Sequence, residues 1–186
     1  SFLGDSTVVD DYPNGPRSTA LFRRLSGNPV WRDRFINRTC ALLATNFSTA
    51  RTTAVYDSML AAIASEVPRD QKRWGFGANS TRAQELKIRA FLKNRPQQVR
   101  RYMRAWYGLA GDSMHVSLSG NGANFQIDGL PVGSAYVGTH FAGVPVTIRA
   151  VPTAGETFAG WSDSVATLER TIVLPARDVS LTATFR

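Results

Sequence analysis

The sequence predicts an α+β, multidomain chain: an all-α unit over residues 1–110, then a small all-β module over 113–186, sandwich or β-grasp-like in type. Three observations predict it. Apolar residues recur at helical spacing up to Asp112 and at spacing two from Ser113 onward. Charge changes at the same place: residues 1–112 hold 18 Lys/Arg against 9 Asp/Glu, whereas 113–186 hold 4 against 5. The joining stretch Gly108-Leu-Ala-Gly-Asp-Ser113 is short and carries glycine twice, as a link between folding units does. At 186 residues the chain can hold two small domains, of which the β module has the smaller core.

Residues 1–17 read as a loop, being acidic and broken by Pro13, Gly15 and Pro16. Ser18 can cap a short helix over Thr19–Leu25, with Leu21, Phe22 and Leu25 on one face. Asn28-Pro29 is a start signal, because Asn accepts from a free N–H and Pro occupies the first turn without cost. The helix it opens should bury Trp31, Phe35, Leu42 and Leu43 and turn Arg32, Arg34 and Arg38 outward. Ser48 caps the next, with a Val55, Met59, Ala62, Ile63 stripe and an end at Pro68. After a loop at Gly75 and Gly77, Ser80 caps a helix carrying Leu86, Ile88, Phe91 and Leu92. Asn94-Arg95-Pro96 should break and restart the chain, placing Val99, Tyr102, Met103 and Trp106 on one face until Gly108.

In the β half, Met114–Leu118 and Ala123–Ile127 alternate, with Gly120-Asn121-Gly122 between them as a hairpin turn. Asp128-Gly129 turns the chain again. Short strands follow near 135–137, 144–151, 157–161, 168–174 and 179–185. The inward set is Val116, Leu118, Phe125, Ile127, Val146, Ile148, Phe158, Trp161, Ile172, Leu181 and Phe185.

Chemistry-bearing residues are sparse. The helical half has no His, so no imidazole base or ligand forms there. His115 and His140 lie in the β half, with no Cys beside them and no Glu at ligand spacing. No Gly-rich phosphate loop with a following Lys occurs. Asp5, Asp10 and Asp11 sit in a Pro/Gly loop, where carboxylates usually face water. The lone Cys40 lies in a helical pattern and reads as a small core hydrophobe. Arg69, Asp70, Lys72, Arg73 and Trp74 read as a capping and packing cluster at a helix end. These residues assign no catalytic, cofactor or metal position.

The net charge of +8 raises the question of nucleic acid. Most of the charge is Arg scattered over helix faces, the pattern of a solvated surface. Arg100, Arg101, Arg104, Tyr107 and the pair Tyr102 and Trp106 mix basic and aromatic side chains, but that pair is four residues apart on the apolar side and belongs to a core. Nucleic acid is therefore disfavoured as a partner. No stretch approaches the roughly 20 apolar residues of a membrane span. Ser1-Phe2-Leu3-Gly4 reads as the interior of a longer polypeptide. If the β module binds something, Tyr136, His140 and Phe141 are the candidate ligand-facing aromatics.

The stretch Gly143-Val-Pro-Val-Thr-Ile-Arg-Ala-Val-Pro152, then Gly155, Phe158-Ala-Gly-Trp161-Ser and a closing Leu181-Thr-Ala-Thr-Phe185, resembles the divergent bacterial surface repeat of the internalin B type. The likeness covers residues 113–186. Glu156 departs from it, standing where an aromatic usually follows the glycine.

The helical half, over roughly residues 18–109, resembles the C-terminal part of the CotH spore-coat kinase family. The matching residues are Ala20-Leu-Phe-Arg-Arg-Leu25, Asn28-Pro-Val-Trp-Arg-Asp-Arg-Phe-Ile-Asn-Arg38, Thr45-Asn-Phe-Ser48, Arg73-Trp74 and Phe91-Leu-Lys-Asn-Arg-Pro96 with Val99. The resemblance implies kinase C-lobe-like helices from a secreted or surface-located, bacterial atypical protein kinase. Its ATP and Mg or Mn would belong to a portion upstream of residue 1, so no catalytic residue carries over and residues 1–186 should be inactive by themselves. The implied partners are the protein's own N-terminal kinase lobe and a cell-surface protein or glycan. A rival of another class is an adhesion or carbohydrate-binding protein in which the β module is the binder.

Overall fold

A computed structural model of the chain describes residues 19–75, 77–109, 111 and 113–186. Among the described residues, five helices, α1 (Ala20–Ser26), α2 (Pro29–Ala44), α3 (Thr49–Ile63), α4 (Val67–Trp74) and α5 (Ala78–Tyr107), precede eight strands. The strands are β1 (Ser113–Ser119), β2 (Ala123–Ile127), β3 (Leu130–Gly133), β4 (Tyr136–Phe141), β5 (Pro145–Pro152), β6 (Phe158–Trp161), β7 (Glu169–Val173) and β8 (Val179–Phe185). This is the α+β arrangement expected. The expected loop over residues 1–17, the Ser18 cap and Asp5, Asp10 and Asp11 lie outside the described residues.

The chain divides into two compact units. One comprises the described residues up to Ala44 together with Tyr102–Arg186, and the other is Thr45–Arg101. Secondary structure thus changes type near residue 110, whereas compactness groups the first two helices with the strands. The reason lies in α2, which packs on β4 and touches β2, β3 and β5. Its Ala41 joins the core of the strands, and Ala44 packs against that core.

The strands form two four-stranded sheets, β4-β1-β8-β6 and β3-β2-β5-β7. All neighbours are antiparallel except β1 and β8, which run parallel with Val116 opposite Val179. Alternation is strict in β1 and β2, burying Met114, Val116 and Leu118, then Ala123, Phe125 and Ile127. Of the expected inward set, Phe158, Ile172 and Phe185 are partly buried against the core and the rest lie within it. Trp161 stands 6.0 Å from Phe125 and 5.7 Å from Phe158, centroid to centroid. Its indole N–H donates to the Thr167 carbonyl at 2.9 Å.

Gly120-Asn121-Gly122 is a crossing, not a hairpin turn, since β1 and β2 belong to different sheets. Gly122 has φ +80°, and a Cβ at Gly120 would stand 2.5 Å from the Ala183 carbonyl oxygen. Glycine lets the chain pass close to β8 and change sheets. The tight hairpin is the next turn. Asp128 (φ 47°) and Gly129 (φ 75°) form its two central residues, with Ile127 opposite Leu130, as a type I′ turn requires.

Among the helices, Asn28 accepts from the Trp31 N–H at 3.2 Å and Ser48 from the Arg51 N–H at 3.4 Å, so both expected caps form. On α2 the buried residues are Ile36, Asn37, Cys40, Ala41 and Leu43. Trp31, Phe35 and Leu42 are half-buried, and so are Arg32 and Arg38, which were expected outward. Phe22, Trp31, Phe35 and Tyr107 form an aromatic cluster, with Trp31 and Phe35 stacked at 5.1 Å.

Three boundaries differ from the sequence reading. Pro68 does not end α3; it sits in the first turn of α4, where its missing N–H costs nothing. Ser80 lies inside α5, which begins at Ala78. Pro96 does not break the chain either: α5 runs through it, and its ring is buried. Packing of that ring offsets the lost backbone bond.

Within Thr45–Arg101, Arg89 pairs with Asp57 at 2.6 Å and Glu85 at 2.9 Å, and lies over the Tyr56 ring. Gln71 donates to Thr81 at 2.8 Å. The apolar residues of these two helices largely face outward: Val55, Met59 and Ile63 on α3, and Leu86, Ile88 and Phe91 on α5, are exposed, while Leu92 is half-buried.

Candidate functional site

Two features of the α2-and-strand unit carry polar chemistry, and both are set by the α2 start at Asn28-Pro29. That start places Asp33 and Arg34 in the second turn. One turn later it puts Asn37 on the face that Cys40 and Ala41 also occupy.

The first feature is a buried polar chain. Tyr136, Gly138 and His140 alternate on one face of β4. The Tyr136 hydroxyl lies 2.7 Å from Nε2 of His140. Nδ1 of His140 lies 3.5 Å from Oδ1 of Asn37, whose Nδ2 donates to the Pro145 carbonyl at 2.7 Å. Asn37 Nδ2 must donate to that carbonyl, so Oδ1 is left to accept. The assignment that satisfies the chain puts the proton on Nδ1 of His140 and has the Tyr136 hydroxyl donate to Nε2.

This corrects the expectation of exposed, ligand-facing aromatics. Tyr136, His140 and Phe141 are 2%, 0% and 1% exposed. The strand expected over 135–137 extends to Phe141, and α2 packs on it. Arg104 spans the edge of this region, lying 5.6 Å over the Phe141 ring and donating to Ser113 Oγ at 3.0 Å.

The second feature is an open groove of about 540 Å³, lined by Asp33 and Arg34 of α2, Asp128 and Gly129 of the tight turn, and Thr147, Glu169 and Thr171 on β5 and β7. Asp33 pairs with Arg32 at 2.8 Å, and Glu169 is 3.8 Å from Arg149. Asp128 accepts from the Thr147 N–H at 3.3 Å through Oδ1, while its buried Oδ2 has no hydrogen-bond partner. Burial pushes the Asp128 carboxyl above the usual carboxylate range, against hydrogen bonds from Thr147 and Asn37 and the charge of Arg34. The groove offers carboxylates, one guanidinium and the Thr147–Thr171 hydroxyl pair, 2.9 Å apart.

The remaining candidates lie apart from both features. His115 is exposed on β1, where its N–H donates to Asp178 at 2.8 Å. In the α4 cluster, Arg69 pairs with Glu66 and Arg73 lies over Trp74, which is 61% exposed and so does not pack as expected. Of the expected core face of α5, Met103 is buried, Val99 and Tyr102 are half-buried and Trp106 is exposed. Tyr107 contacts Ser26 at 3.4 Å, and burial raises its phenol above the usual range. Among the described residues no group of three or more His, Cys, Asp or Glu is placed to hold a metal ion. No described helix is long and apolar enough to cross a membrane.

Asn37, Gly138 and Asp128 were not singled out from sequence as site residues. Two signals pointed toward the first two: a polar Asn amid the apolar Ile36, Cys40 and Ala41, and Tyr, Gly and His at spacing two.

Residues 4–99 match the family model described as CotH kinase protein, and residues 132–186 match that of the divergent InlB B-repeat domain. The second match begins within β3, so β1 and β2 precede it. No curated protein and no solved structure matches the chain.

Proposed function

Since the chain belongs to the CotH kinase protein family, we propose that it is the non-catalytic C-terminal part of a CotH-type atypical protein kinase, secreted or surface-located. In this reading the helices are scaffold and the β module makes surface interactions. A kinase C-lobe holds the catalytic elements in place, while positioning and electrostatics do the phosphoryl transfer. ATP and Mg or Mn would be held by the portion outside this sequence.

The observation that carries the reading is the outward stripe of the Thr45–Arg101 unit. Val55, Met59 and Ile63 are 53%, 64% and 54% exposed at consecutive turns of α3, with Leu86, Ile88 and Phe91 exposed on α5. Such apolar rows mark surfaces that another protein part covers. The part proposed is the kinase's own N-terminal lobe.

The test has two arms. Residues 1–186 are titrated with ATP and Mg²⁺ or Mn²⁺ by calorimetry and assayed for autophosphorylation, with no binding and no incorporated phosphate expected. Micromolar affinity overturns the non-catalytic assignment. In the longer protein, Met59→Glu should impair kinase activity, yet in residues 1–186 it should leave the melting temperature unchanged.

The InlB-type match favours a second reading, an adhesion or carbohydrate-binding surface protein with the module as binder. Any such site would use groups other than the buried Tyr136, His140 and Phe141. Glycan-array binding by the whole chain would favour this reading.

A further inference from the structure

β7 is the outer strand of its sheet and pairs only with β5 among the described residues. The bonds that flank this pairing fix which backbone groups face outward. The Ala150 N–H donates to the Leu168 carbonyl at 3.0 Å, and the Leu174 N–H to the Val144 carbonyl at 3.5 Å. Antiparallel hydrogen-bonded pairs alternate along a strand. Leu168, Arg170, Ile172 and Leu174 therefore bond toward β5, while Glu169, Thr171 and Val173 direct their N–H and C=O groups away from it.

The side chains of those three residues are also exposed, Val173 at 66%. No proline or bulge interrupts β7. Glu169 is the only charge on its outward row, so the strand lacks most devices that close an edge. On the same face a row runs across the sheet from Thr171 to Thr147 and on to Asp128. This row lies in the groove, whose lining holds Asp33, Arg34, Asp128 and Glu169, with Arg32 paired to Asp33 and Arg149 loosely to Glu169.

We propose that β7 binds an extended peptide by strand addition, with a Lys or Arg side chain of the peptide directed into the adjoining groove. Backbone bonds to Glu169, Thr171 and Val173 hold the peptide, and the pocket beside them selects its side chain. A residue opposite Thr171 has Glu169 diagonally beside it, and a long basic side chain extends over Thr171 toward Thr147. Glu169 is held only by Arg149, 3.8 Å away in an exposed and loose pair, so a peptide cation can compete for its carboxylate. This inference deepens the reading of the module as the interacting part and rests on it.

The experiment pans a randomised decapeptide display library against the whole chain, then titrates fluorescein-labelled winners. Enriched peptides should alternate in polarity around a fixed Lys or Arg. Exchanging that residue for Glu should weaken binding at least tenfold. Glu169→Lys and Thr171→Pro should do the same at unchanged melting temperature, because the proline removes an outward N–H and leaves the β5 ladder intact. No enrichment, or winners without a basic residue, overturns the proposal. Binding that survives both variants overturns the groove while leaving the module a binder. A dimer in sedimentation that Thr171→Pro dissolves puts a second copy on the edge and also overturns it.

Discussion

The Tyr136 hydroxyl reaches His140 Nε2, 2.7 Å away, by lying over Gly138. All three residues share one face of β4, and a Cβ at Gly138 would overlap the tyrosine hydroxyl and ring. Glycine here supplies a slot for a side chain, not a backbone conformation. Gly138→Ala should destabilise the protein by about 1–3 kcal/mol, the usual cost of overpacking. Combined with Tyr136→Ala, which empties the slot, the two losses should be clearly less than additive in urea denaturation. Additive losses would mean that the slot is not what Gly138 provides.

Asn37 joins α2 to the strand unit at His140 and at the Pro145 carbonyl, and acts on the Asp128 carboxyl as well. Asn37→Ala should cost about 1–3 kcal/mol, because buried polar groups lose a partner. A local readout separates this from general destabilisation. Cys40, the lone cysteine, is buried one turn along the same face, so thiol labelling should quicken in the variant under native conditions. Labelling as slow as in the parent chain would show that Asn37 does not hold α2 in place.

Asp128 gives a pH dependence with a definite sign. Its folded-state carboxyl titrates above the ordinary range, mainly through burial, so the native state binds its proton more tightly than the unfolded chain does. The stability this group contributes is therefore fully present below the ordinary carboxylate range. It is lost as pH rises through the folded-state value. Asp128→Asn removes that term and keeps the Asn-Gly preference of a type I′ turn. The difference in stability between variant and parent should move in favour of the variant as pH is raised from 3 to 6. A difference that stays constant with pH would exclude the burial effect.

Much of the fold was legible because local signals agreed with packing. Asn28-Pro29 and Ser48 capped where caps were expected, and the alternation in β1 and β2 buried the residues it pointed to. The failures have one physical character, since long-range packing overrode a local signal. Pro96 reads as a break in any short window, yet its buried ring sits inside α5. Gly120-Asn121-Gly122 has hairpin composition, but the chain changes sheets there. Tyr136, His140 and Phe141 looked exposed because sequence shows no sign that α2 packs on β4. The stripes on α3 and α5 show the reverse, helical faces with a core's periodicity that stay exposed.

Trp161 ties the two sheets' core together. It is 3% exposed, with Phe125 and Phe158 beside it and its N–H bonded to Thr167. Trp161→Ala should cost about 3–5 kcal/mol, as truncation of a core aromatic does. Trp161→Phe should cost less, keeping most of the ring contact and losing the Thr167 bond. If Trp161→Ala retains the parent melting temperature, the side chain is not the core anchor its burial indicates.

The division into residues 1–110 and 113–186 is open to direct test by expressing 113–186 alone. Composition at the junction leads one to expect an independent module. Burial argues otherwise, because Ala41 belongs to the core of the strands and Asn37 partners His140 and the Pro145 carbonyl. Without α2, β4 would lose the helix packed on it, and His140 its contact with Asn37. Residues 113–186 should therefore melt at a lower temperature than residues 19–186, with amide shifts displaced along β4 and at the start of β5. Adding a peptide of residues 28–44 should restore part of the lost stability, since binding to the folded state alone raises it by mass action. An isolated module as stable as the longer chain, with an overlaying spectrum, would place the domain boundary at the junction and make α2 a passenger.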